Sequence, residues 1–186
     1  MVSKSVINLM LILGAVVGVV IFWPHLTAGA QDSIMSDDQK NQIQTRCVSI
    51  KQTLNQLHAN DAVIRVNRGQ LYEAISVKMM VPMNSRITLN RLDGGELVGI
   101  TASYDQTLSE FRDNYGVYER QLSDAIKIDC EKSPEKFYKA VQAASERRKA
   151  VHADVVRLHE QIQDYETNFK NFAAEFDNST KEETSQ

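Results

Sequence analysis

SPEKFYKAVQAASERRKAVHADVVRLHEQIQDYETNFKNFAAEF, residues 133–176, decides the fold. Every third or fourth residue from Phe137 belongs to one series: Phe137, Val141, Ala144, Arg148, Val151, Val155, Leu158, Ile162, Tyr165, Phe169, Phe172, Phe176. The steps alternate between four and three, and only Arg148 interrupts the apolar run. A 3.5-residue repeat lays one stripe along one side of a helix, as in coiled-coil-like packing. Ser133 suits the N-cap and Pro134 the first turn. No Gly or Pro follows inside the stretch, so the helix would be about 65 Å long at ~1.5 Å per residue. A helix of that length with one apolar stripe has to bury it against other helices.

Two further stripes precede it. One runs Ile43, Cys47, Ile50, Leu54, Leu57, Asp61, Ile64, Arg68, Leu71, Ile75, Lys78. Ser36 with Asp37 and Asp38 offers it an N-cap and an acidic first turn, and Pro82 is expected to end it. The other runs Leu97, Thr101, Tyr104, Leu108, Phe111, Tyr115, Tyr118, Leu122, Ala125, Asp129. Asp93 and Glu96 resemble a capping box at its start. Residues 82–95 read as a connection with at most one short helical turn, on the turn chemistry of Asn84-Ser85 and Asp93-Gly94-Gly95. Eight Gly and three Pro in 186 residues leave room for few loops and argue against a many-stranded sandwich or barrel. The expected fold is all-α: an antiparallel, elongated up-down-up bundle over residues 38–176, with helices at about 38–80, 94–130 and 134–176. An acidic, frayed tail is expected over 177–186.

The N-terminus reads as export machinery. Val6 to Trp23 is an apolar run with Lys4 before it, while Asp32, Asp37 and Asp38 follow without a Lys or Arg. The positive-inside rule puts the N-terminus in the cytoplasm and the bundle outside, on a single-pass anchor at about 6–23 followed by a linker over 31–37. Ala28-Gly29-Ala30 is also a small-x-small pattern, so the alternative is cleavage after Ala30 and secretion.

Register supplies an internal test. A hairpin centred near residue 88 or 89 sets Cys47 and Cys130 at one height, and two cysteines in an exported chain read as a disulfide; two buried free thiols are the alternative. The same register, carried around residue 132, places Asp61, Tyr115 or Gly116, and Arg148 in one layer. That predicts a buried, register-setting ion pair between Asp61 and Arg148, with Gly116 leaving room for the guanidinium.

Chemistry is sparse. The histidines are His25, His58, His152 and His159, and none has the spacing of a helical metal pair. No nucleophile elbow, phosphate loop or dinucleotide fingerprint occurs. The expectation is a non-enzymatic protein without cofactor, metal or nucleic-acid partner. Arg65, Arg68, Lys78, Arg86 and Arg91 outnumber Asp61 and Glu73 over residues 61–91, which predicts a mildly basic interaction tip. The tyrosine-rich line Tyr104, Phe111, Tyr115, Tyr118 reads as core at this spacing. Functionally the chain reads as a membrane-anchored envelope scaffold or protein-interaction module that binds other proteins or copies of itself. A small-ligand-binding sensory or solute-binding bundle is the alternative.

Overall fold

The computed structural model describes residues 35–183, and every regular element in that range is helical. The expected membrane anchor and the cleavage site after Ala30 lie outside the described residues. Among the described residues no helix is long and apolar enough to cross a membrane.

A first arm runs from α1 (Asp37–Thr45) through α2 (Cys47–Ile75), a π-helical segment (Ser76–Met80) and α3 (Val81–Leu89). It is followed by α4 (Gly95–Lys127) and α5 (Pro134–Glu183). The Ser36 hydroxyl accepts from the Gln39 amide and the Gln39 side chain returns to Ser36, so α1 opens on a capping box. Contacts such as Cys47–Cys130 near one end and Asn84–Thr101 near the other make the first arm and α4 antiparallel. Asn114–Asp154 and Thr107–Gln161 do the same for α4 and α5. α4 and α5 pack along their length, and α2 leans chiefly on α4.

Pro82 does not end the first arm. Proline lacks the amide that an α-helix needs four residues on, and its ring crowds the carbonyl one turn back. The preceding π-helical turn is wider, with the Val81 amide reaching back to Ser76 O, and Pro82 then falls in the first turn of α3. The expected connection therefore shrinks to residues 90–94. α3 closes with Leu92 N donating to Ile87 O and Arg91 N to Thr88 O, with Arg91 at φ 56°. That is a Schellman ending with arginine where glycine is usual. Gly94 is required by space, since a Cβ there would lie 2.6 Å from Ile87 Cγ2. The capping box expected at Asp93 does not form; Asp93 Oδ1 instead accepts from Gly95 N at 3.2 Å in a local turn. Residues 177–183, expected to fray, continue α5, because no breaker follows Phe176.

The core is three stacked clusters. Cys47, Cys130 and Phe137 occupy the end near α1. Tyr115, Tyr118, Leu122 and Ala144 come next. Tyr72, Met80, Tyr104, Leu108, Phe111 and Leu158 fill the half nearer α3.

Candidate interaction groove

Each core layer carries a tie across the helices, covalent at the base and polar above it. At the base, Cys47 and Cys130 form a disulfide with Cα atoms 5.6 Å apart. One layer up, Arg148 Nε and Nη2 donate to Asp61 Oδ2 and Oδ1 at 2.9 and 3.2 Å. The third member is Tyr118 rather than Tyr115 or Gly116, and its hydroxyl donates to Asp61 Oδ2 at 2.6 Å. Gly116 makes no room for Arg148; the side chain nearest to it is Arg120. Burial pushes the Asp61 carboxyl up, but the hydrogen bonds from Arg148 and Tyr118 outweigh it and hold it below the ordinary carboxylate range. Burial and the same carboxylate raise the Tyr118 phenol. The pair is buried on one side only: the Asp61 side chain is 11% exposed and that of Arg148 53%. The ion pair therefore sits at the lip of a groove rather than inside the core.

Two further ties lie toward α3. The Tyr104 hydroxyl donates to Tyr72 O at 2.9 Å, and the Tyr72 hydroxyl meets His159 Nε2 at 3.1 Å. The buried Asn84 donates to Leu97 O and Thr101 Oγ1 while its Oδ1 accepts from the Tyr165 hydroxyl at 2.9 Å. Asn84, read from sequence as a turn residue, thus binds all three arms together. Sequence spacing also passed over Asp154, which is buried against α4 between Asn114 and Arg157.

Between the first arm and α5 the bundle stays open. Near Asp61 and Arg148 the opening has about 430 Å³, floored by Phe111, Tyr115 and Tyr118 and walled by Val151 and Val155. Further along, Met79, Met83, Ile162 and Phe169 wall a second cleft of about 480 Å³. Ile64, Leu71 and Met79 on the first arm remain more than half exposed.

The five basic residues do not gather at one tip. Arg65 stacks over the Tyr115 ring at 4.8 Å and pairs loosely with Glu119. Arg68 lines the first opening and donates to the Tyr72 hydroxyl at 3.4 Å. Lys78 and Arg86 line the second cleft, and Arg91 sits in the α3–α4 connection. Four of them are spread along the two openings and Arg91 lies beyond them, because residues 65 to 86 run on one continuous helical arm. Among the described residues no three His, Cys, Asp or Glu side chains converge as a metal site. Compared with known proteins, the chain matches no family, and neither a curated protein sequence nor a solved structure resembles it significantly.

Proposed function

We propose that the chain is a membrane-anchored, non-enzymatic extracytoplasmic bundle that serves as an envelope scaffold or protein-interaction module, and that it engages partners along the open side between the first arm and α5. The observation that carries this reading is that Ile64 and Met79, both more than half exposed, line the two openings beside α5, with the exposed Leu71 on the same helix face between Arg68 and Ile75 of their linings. Apolar rows left uncovered on a soluble surface mark interaction sites, and an unfilled groove between helices accepts an additional helix. The anchor and the outward orientation rest on the apolar run Val6 to Trp23 and the charges around it. The test is site-specific photocrosslinking in the native membrane. A crosslinker at Leu71 is expected to capture a discrete protein partner, whereas one at Lys127 on the exposed side of α4 is not. Equal capture from both positions, or none from either, removes the proposal.

A second reading, a small-ligand-binding bundle, draws on the opening beside Asp61, Tyr115, Tyr118 and Arg148. Thermal-shift screening against small carboxylates and phosphate addresses it, and a flat screen counts against it.

A further inference from the structure

The second cleft differs in chemistry from the rest of the groove. Its walls are supplied by Met79 and Met83 from the first arm and by Ile162 and Phe169 from α5. Methionine is unbranched and polarizable, and surfaces rich in it accommodate varied apolar side chains. The π-helical turn sets this surface up. Within it Met80 is buried at 2% exposure, while the adjacent Met79 stands 64% exposed at the cleft. Single π turns inside α-helices are frequent at functional sites.

Charge narrows the occupant. Lys78 and Arg86 flank the cleft, and neither has a carboxylate within salt-bridge distance among the described residues. The one acidic side chain on the lining, Glu166, is engaged by Lys170 of its own helix at 2.6 Å, which holds its carboxyl below the ordinary range. Arg68, further along the groove, likewise has no acidic partner within salt-bridge distance among the described residues. An apolar slot between uncompensated cations complements an occupant that is apolar on one side and acidic on the other. A second copy docking symmetrically by the same cleft would oppose cation to cation. A bilayer surface cannot enter a slot recessed between two helices.

We propose that this cleft is the anchor point for an acidic amphipathic helix of a partner protein, whose apolar side chain enters between Met79, Met83 and Phe169 while its carboxylates meet Lys78 and Arg86. The proposal rests on the reading of the chain as a protein-interaction module and specifies that partner.

The experiment uses the full chain in detergent and three labelled probes: a helical peptide with a leucine stripe and a glutamate polar face, its lysine-faced counterpart, and phosphatidylglycerol vesicles. Fluorescence anisotropy is expected to show the glutamate peptide binding roughly tenfold more tightly than the lysine peptide. Lys78→Glu with Arg86→Glu should reverse that order, Lys78→Gln with Arg86→Gln should erase it, and Met83→Asp should weaken both peptides. Circular dichroism confirms that each variant is folded; both cations are exposed, so the neutral pair guards against a fold defect. Equal affinity for the two peptides, a preference unmoved by the charge changes, or binding to vesicles alone overturns the proposal. If the peptides fail while Leu71 still crosslinks a partner, the cleft assignment falls and the interaction reading stands.

Discussion

α4 and the first arm carry the same kind of heptad stripe and bury it to different extents. On α4 every stripe position from Leu97 to Ala125 is buried. On the first arm the stripe is inward from Cys47 to Asp61, after which Ile64 and Leu71 are 51% and 55% exposed. Their place is taken by Tyr72, Ser76, Met80, Asn84 and Ile87, which the 3.5-residue count left out. Two causes combine. A helix that is not supercoiled turns 3.6 residues per turn and drifts ~20° per heptad against a 3.5 repeat. In addition, α4 has a neighbour on both sides, whereas the first arm leans chiefly on α4 and has an open flank toward α5. The same periodicity therefore means core where helices surround it and groove where they do not.

The largest break in this comparison should come from the base. Cys47→Ser with Cys130→Ser opens a loop with a sequence separation of 83 residues. In the chain-entropy account that loss is about 4 kcal/mol, read as a lower denaturation midpoint. Hydrogen exchange should then show the first arm losing protection before α4 and α5. Next, Leu108→Ala, at a position 4% exposed, should lose about 3 kcal/mol by leaving a cavity at the centre of α4.

Asp61→Asn should lose about 2 kcal/mol at neutral pH, discounted for the half-exposed Arg148. It also carries a pH signature. The folded carboxyl titrates below its ordinary value, so its contribution is complete above the unfolded value of about 3.9 and disappears as pH falls through the folded one. The variant should accordingly show a shallower acid limb in stability against pH, and an unchanged limb would contradict the bonded geometry. Arg91→Gly should stabilise by about 1 kcal/mol, since glycine adopts the left-handed conformation without the Cβ penalty. Smallest, Leu71→Ala should shift stability by less than about 0.5 kcal/mol. Set against Leu108→Ala, that difference measures how unequally the two stripes are buried, and comparable losses would mean the groove is closed in solution.

The all-helical class was legible in the three stripes, because a 4-3 apolar spacing kept over several heptads is a local pattern that needs no tertiary information. The disulfide register was legible because two cysteines fix a height. What escaped the sequence depended on partners distant in the chain. Tyr72 and His159 meet across 87 residues, and nothing local marks either one as a tie. Asn84 beside Ser85 has the chemistry of a turn until Thr101 and Tyr165 are placed around it. Pro82 was read as a terminator on the assumption of α-helical spacing, and the π turn removes that assumption.

The bridge between Cys47 and Cys130 also has a mechanical meaning. Tension applied to the leading end of the chain can peel away α1, whose body carries no buried residue, but unravelling halts at Cys47. From there the load passes through sulfur to Cys130 and on into the short turn before α5. A pull on that end would thereby bypass the helices between the two cysteines.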